Sequence, residues 1–433
     1  MNLDISKYYG KELNCACGRT HFCAIQGVEV SRGALRKLPH MLSRYKSIFL
    51  VADTNTWKVC GEAAQDLLGN MAVGAHVYER SGILVPNEEA VRELTAVLPE
   101  HTDLILGIGS GVINDICKFV AWQKGLPSAI VATAPSMDGY ASSGAAMITD
   151  GMKVTYTVEA PLYIVADTDI IKNAPMEMIQ AGYGDIIGKY SSLNDWKLAH
   201  LIKDEYFCQS IYDLVLEVTD HIRDSVSDIV ARKDDAIELL MKALVLIGIT
   251  LSLVGSTRPG SGSEHHLGHF FEVTGLIHKK PHLCHGLDVA YTTILTAGIR
   301  HQICTQEPIF QTEPDEERIS AWKRIFGPVS QEVEKLQANA GMYPATYWDA
   351  YKEKWPAILD ILRECPTPEA CTQMIRAAGF DMDRFEHVYG AEKIRDAMLY
   401  GKDLKDRYSV LWIYYALFSG KKEDVSWKSF WTN

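Results

Sequence analysis

The chain has 433 residues, 47% of them hydrophobic and 23% charged, and a formal net charge of -12. That length suggests two or three domains, and the composition is that of an ordinary globular protein rather than a disordered one. No basic domain or stripe stands out, so the acidic balance argues against a nucleic acid or an anionic membrane as partner.

The start, Met1-Asn2-Leu3-Asp4, lacks the basic and apolar regions of a signal peptide. Ten cysteines are too sparse for a disulfide framework. The expectation is a soluble cytoplasmic protein with reduced thiols. Cys15-Ala16-Cys17-Gly18-Arg19-Thr20-His21, with Cys23 beyond, offers metal-binding residue types without the second paired half of a zinc ribbon. A structural metal site and a plain edge strand both stay open there. Apolar runs follow at Ser47–Ala52, Ala75–Tyr78, Asp103–Gly107 and Ala129–Ala132, with helical patterns between them such as Glu88–Leu98 and Ile113–Gln123. Continuous apolar strands alternating with helices predict βαβ units and a parallel sheet. Ala145–Ile148, Asp150-Gly151 and Val154–Thr157 predict a hairpin, since Asp-Gly tolerates the two positive φ values of a type I′ turn. Pro161–Ala166 is one more short run. Beyond Asp167 strand signals nearly vanish, and Ile170–Ile202, Tyr206–Val226 and Asp235–Val254 show helical periodicity. So do Asp315–Asn339, Pro344–Glu364, Pro368–Ala378 and Ala391–Leu399. The longest apolar run, Ala243–Val254, falls short of the roughly 20 residues of a spanning helix and reads as buried. The predicted architecture is an α/β domain over 1–165 and an all-helical domain over 166–433.

Three stretches carry chemistry. In His101–Lys118 a strand ends in Gly107-Ile108-Gly109-Ser110-Gly111 where a helix begins. Glycines there let the backbone approach a phosphate, and the helix N-terminus offers N–H groups and positive dipole. Val112 excludes the usual G-x-G-x-x-G fingerprint, and Val112-Ile113 exclude a P-loop. A tight βα turn is the bland alternative, against which stand Asn114 and Asp115 in the first helical turn. Asp53 ends an earlier strand, where a carboxylate either binds a ribose hydroxyl or caps a helix. The second stretch holds six of the 14 histidines: His265, His266, His269, His278, His282 and His285. His265 and His269 share a helix face, and a third histidine on a following helix would complete a metal site. It is not a zincin motif, because Glu264 precedes the histidine. His265 and His285 are the ligand candidates. The third stretch, Tyr183–Lys189, supplies a carboxylate: Asp185 is either a metal ligand or an ion-pair partner of Lys189 one turn on.

These stretches, in this order, resemble the superfamily of iron-containing alcohol dehydrogenases, glycerol dehydrogenases and dehydroquinate synthases. Gly107–Asp115 is similar to its G-x-G-x-G-x-x-x-D element. Its acidic metal ligand falls on Asp185, and its H-x-x-x-H and H-G elements fall on His265, His269 and His285-Gly286. The resemblance implies a dinucleotide-binding α/β domain, a helical domain, and an active site with one divalent metal in the cleft between them. Within the group, Thr133–Ala145 (TAPSMDGYASSGA), Gly109–Lys118 and Gly255–His265 are most similar to the sn-glycerol-1-phosphate dehydrogenases. That implies an enzyme reducing dihydroxyacetone phosphate with NAD(P)H, zinc or nickel as metal, a homodimer, and a place in phospholipid synthesis.

On that resemblance Asp185, His265 and His285 hold the metal. Gly109, Ser110, Gly111, Asn114, Asp115, Thr133, Ser136, Ser142 and Asp53 bind the cofactor, and the acidic Asp53 favours NAD over NADP. Asp138 touches substrate, and His269 serves the proton transfer by type. Lys189 and Arg258 are the candidates for the substrate phosphate. Cys117 and Cys284 are read as small packing residues. The competing readings are a glycerol or polyol dehydrogenase, a dehydroquinate-synthase-like cyclase, and a non-catalytic sensor on the same fold.

Overall fold

The computed structural model describes residues 3–79, 82, 84–306, 308, 317–343, 347–418 and 427–431. The chain opens with a small antiparallel hairpin, β1 (Glu12–Asn14) and β2 (Thr20–Phe22). Then come β3 (Gly27–Ser31), β4 (Ile48–Asp53), β5 (Ala72–Tyr78), β6 (Leu104–Gly109) and β7 (Ser128–Ala132). A second hairpin, β8 (Gly144–Thr149) with β9 (Met152–Thr157), precedes β10 (Tyr163–Asp167). Six strands form one parallel sheet in the order β3-β10-β7-β6-β4-β5.

The apolar runs at 47–52, 103–107 and 129–132 became β4, β6 and β7, which are buried along nearly their whole length. A parallel strand is covered on both faces, which is why these read as unbroken apolar runs. Leu50, Leu106, Ile108 and Val131 fill the core on one side. Burying such a side chain is worth about 1.5–3 kcal/mol each. The second hairpin turns at Asp150 and Gly151, with φ of 50° and 75°. Both values are positive, as the type I′ reading of Asp-Gly requires. The 15–23 stretch, where an edge strand is one of the two readings, holds β2, which pairs with β1 in a hairpin of only three residues per strand. β3, a half-buried edge strand interrupted by Glu29, escaped prediction.

The contacts of the chain cluster into two units: 1–186 with 224–257, and 187–223 with 258–433. This differs from the single cut expected near Val165. The Met176–Ile187 and Asp234–Val254 helices belong with the sheet, because their buried faces pack on the 135–141 loop and on β3. Asp234–Val254 contains the longest apolar run, and among the described residues it alone is long and apolar enough to cross a membrane. In this fold 78% of its most apolar window is buried inside the protein.

The second unit is helical. Its central helix, His285–Thr305, packs against Ser263–His278, Trp348–Arg363 and Pro368–Ala377. A buried ionic node ties the start of Ser263–His278 to the later part of His285–Thr305. Arg300 pairs with Asp195 at 2.9 Å, and Asp195 also accepts from the Ser263 N–H at 2.6 Å. The expected helices at 315–339 and 344–364 both begin outside the described residues. Within those residues Arg318–Phe326, Ser330–Ala340 and Trp348–Arg363 are helical. All ten cysteines, each among the described residues, are thiols.

Candidate functional site

In the first unit the glycine loop joins β6 to the Gly111–Lys124 helix. A Cβ on Gly109 would sit 2.7 Å from Ile113, so only glycine allows the turn to close this tightly. Ser110 occupies the N-cap position in an extended conformation and makes no side-chain cap. The first-turn N–H groups therefore keep their capacity to meet an anion. Thr133 follows β7, and its N–H donates to the Gly109 carbonyl at 3.1 Å.

The polar residues beside this loop are tied to the segment after it. Asn114 Nδ2 donates to the Gly139 carbonyl at 3.3 Å. Asp115 pairs with the buried Lys118 at 2.9 Å and accepts from the Ala146 N–H. Lys118 Nζ donates to the carbonyls of Gly139 and Gly144. Ser142 Oγ also donates to the Gly139 carbonyl, at 3.1 Å, and Ser136 Oγ lies 3.5 Å from the Tyr140 hydroxyl. The structure thus assigns Asn114, Asp115 and Ser142 to shaping the 138–144 segment. Asp53 caps the turn after β4, accepting from Asn55 and Thr56 N–H groups at 2.8 and 2.9 Å. The helix-cap reading of Asp53 is therefore realised.

Asp138 begins a short 3₁₀ turn and is about nine-tenths buried. Its backbone N–H donates to Asp185 Oδ2 at 2.9 Å. Two glycines make that approach possible. A Cβ on Gly182 would fall 1.9 Å from the Pro135 carbonyl oxygen, and one on Gly248 would fall 2.6 Å from that of Asp138. The loop therefore lies directly on helix backbone, bringing Asp138 and Asp185 together in this unit.

In the second unit the six histidines separate by role. His265, His269 and His285 come together, with ring centroids 5.0 Å apart for His265 and His285, 5.9 Å for His265 and His269, and 5.2 Å for His269 and His285. His278 and His282 face the backbone carbonyls of Ile325 and Leu283. His266 is fully enclosed. Burial pushes its imidazole well below its usual value, and the cations Arg407, Lys405 and Arg258 push the same way.

His265 Nδ1 lies 2.7 Å from Glu264 Oε1, and Glu264 is wholly buried. Burial alone would raise that carboxyl. The hydrogen bonds from His265 and the Gly262 N–H outweigh it and hold the group below its ordinary value. With Nδ1 donating to a carboxylate, Nε2 is the electron-pair side of the ring, which is how metal-binding imidazoles are oriented. His269, Glu272 and His285 likewise each offer a donor atom within 4.8 Å of the others. The donor set fits a divalent metal.

The cations expected at a phosphate are otherwise engaged. Lys189 is fully buried and donates to the Gly260 carbonyl at 2.8 Å. Arg258 grips Glu205 through Nε and Nη2 at 2.7 and 2.5 Å and donates to the Tyr408 carbonyl. These contacts give both a role in holding the fold and lend no support to phosphate binding by either. Sequence reasoning passed over Arg407 and Lys405. Burial lowers the Arg407 guanidinium to about 10, and the positive charge of Arg258 adds to this. No motif marks these residues, which lie far along the chain from the histidines. Cys284, expected to pack, is instead exposed at the N-cap of the His285–Thr305 helix.

Comparison with known proteins places this geometry. Residues 29–175 match the family described as iron-containing alcohol dehydrogenase. A glycerol-1-phosphate dehydrogenase [NAD(P)+] of Geobacillus stearothermophilus is 31% identical over 386 residues, covering 88% of this chain and 89% of that one. The enzyme of the same name from Bacillus licheniformis is 32% identical over 347 residues, covering 76% and 86%. Among solved structures, a probable glycerol dehydrogenase from Sinorhizobium meliloti superposes with a TM-score of 0.60 at 16% identity, covering 93% and 98%, and shares the fold. The chain belongs to the NAD(P)-dependent glycerol-1-phosphate dehydrogenase family, within the iron-containing alcohol dehydrogenases.

Proposed function

We propose that this protein reduces dihydroxyacetone phosphate to sn-glycerol 1-phosphate with NAD(P)H, using one divalent metal held by Asp185, His265 and His285. The observation that carries the reading is the Glu264–His265 pair. A buried carboxylate fixes the tautomer of an imidazole, and His285 lies beside it. Two neutral imidazoles and a carboxylate suit zinc or nickel. When bound, the metal supplies a Lewis acid for a ketone oxygen, and the cofactor supplies the hydride.

The rest falls to the chain. The N–H groups at Ser110 and Gly111 bind the cofactor pyrophosphate at the helix N-terminus. Thr133, Ser136 and Ser142 line the cofactor path beside Gly109, while Asn114 and Asp115 hold that path in shape. Asp53 Oδ1 is held by the cap, and its second carboxylate oxygen is the one offered to the ribose, which favours NAD. Asp138 orients a substrate hydroxyl. Asp185 receives the Asp138 N–H, which couples the substrate-orienting residue to the metal-holding one. His269 moves the proton to the product oxygen, directly or through water. The substrate phosphate is met by Arg407 and Lys405, where an anion offsets the repulsion that the neighbouring Arg258 exerts on the Arg407 guanidinium. The enzyme acts as a cytoplasmic homodimer feeding glycerophosphate into lipid synthesis.

The test compares NADH oxidation with dihydroxyacetone phosphate and with dihydroxyacetone, followed by chiral analysis of the product. Turnover of the phosphorylated ketone to the 1-phosphate enantiomer is expected, with Arg407→Ala raising KM at least tenfold for that substrate. Turnover of dihydroxyacetone alone would make this a polyol dehydrogenase.

A further inference from the structure

The β1–β2 hairpin has no part in the dehydrogenase reading. Three-residue strands cannot stabilise a two-stranded ribbon in water. What lies between and beside them is the set Cys15, Cys17 and His21. The chain reverses after β1 in a turn closed by the Gly18 N–H donating to the Cys15 carbonyl at 3.1 Å. Gly18 has a φ of 84°, the left-handed conformation that glycine adopts at no steric cost. The turn puts Cys15 and Cys17 in one short loop. β2 then places His21 opposite Leu13, where its ring is buried.

His21 Nδ1 lies 2.7 Å from the Leu253 carbonyl. A carbonyl only accepts, so Nδ1 carries the proton and Nε2 presents its lone pair. That Nε2 lies 3.5 Å from Cys17 Sγ. A tetrahedral zinc with bonds of about 2.3 Å to sulfur and 2.0–2.1 Å to nitrogen separates the two donors by about 3.5 Å. The Cys15, Cys17 and His21 donor atoms all lie within 4.8 Å of one another. Anchoring of Nδ1 by a backbone carbonyl is the arrangement that aims Nε2 at a metal. Cys23 is excluded from the set. It is buried, burial raises its thiol, and it faces Ile25 and Ser252.

We propose that the β1–β2 hairpin is a second, structural metal site, binding a zinc-class soft divalent cation through the Cys15 and Cys17 thiolates and His21 Nε2. Binding displaces the two thiol protons and cross-links a ribbon too short to hold itself. The site is independent of the reaction above, and its test does not depend on activity.

The protein is loaded with cobalt, and the thiolate-to-cobalt charge-transfer absorption is recorded. A band is expected in the native chain. It persists in His265→Ala/His285→Ala, whose missing donors carry no sulfur, and it disappears in Cys15→Ser/Cys17→Ser. Zinc-loaded protein is expected to lose one equivalent in each of those double variants. Should the serine variant fail to fold, X-ray absorption at the zinc edge of His265→Ala/His285→Ala decides. Sulfur ligands with an imidazole support the site, and a shell of nitrogen and oxygen alone overturns it. Absence of the charge-transfer band in the native protein, or a Cys15–Cys17 disulfide, would also overturn it.

Discussion

Glu264 is a residue whose importance lies in its position behind another. It is fully buried and bonds to His265 rather than facing substrate. Removing its charge leaves the His265 tautomer unfixed. Glu264→Gln is expected to weaken metal affinity about 10–100-fold, the usual cost of losing such a partner. Competitive chelator titration reads this directly, and unchanged affinity would break the assignment. Lys393 gives a second test at this scale. Its ammonium lies 5.1 Å from the Tyr389 ring centroid, and burial pushes it down to about 8 despite the opposing charge of Asp288. The folded chain thus releases this proton before the unfolded chain does. The destabilising contribution is complete below about pH 8 and fades as pH rises toward the ordinary lysine value of about 10.4. Lys393→Met should raise Tm at pH 7 and lose that advantage by pH 10. A gain independent of pH would contradict the sign.

The elements were legible where burial and periodicity agree. β4, β6 and β7 are covered on both faces, so their apolar runs announced them. The Asp150-Gly151 turn was legible because its backbone conformation selects its residues. β3 was not, since a half-buried edge strand carries neither signal. The contacts that hold Asp138 were also invisible. They depend on a loop lying against helix backbone at Gly182 and Gly248, two glycines with no motif of their own. Gly182→Ala must separate the Pro135 carbonyl from its helix. Such overpacking costs about 1–3 kcal/mol, and it should lower kcat by displacing Asp138. Denaturant unfolding with parallel kinetics checks both. A variant of native stability and native kcat would show that the close approach is dispensable.

At the scale of the molecule, the sequence divided at one point while the fold divides at several. The helices at 176–187 and 234–254 belong with the parallel sheet although they lie beyond its last strand. Helical periodicity reports the type of an element but not what it packs on. The proposed metal ligands stand out in the sequence because imidazole and carboxylate chemistry marks them. The proposed phosphate cations do not, because any lysine or arginine fits until its partners are seen. Arg258 is bound to Glu205 and Tyr408, while Arg407 donates to the Ser261 carbonyl and has its charge opposed by Arg258. The central claim is that this fold performs a metal-assisted reduction of a phosphorylated ketone. Its most direct test is to strip the protein with a chelator and follow NADH absorbance with dihydroxyacetone phosphate, adding back zinc, nickel or nothing. The account predicts oxidation that one of these metals restores and that His265→Ala abolishes. Full activity in the stripped protein, or none with either metal, would contradict it.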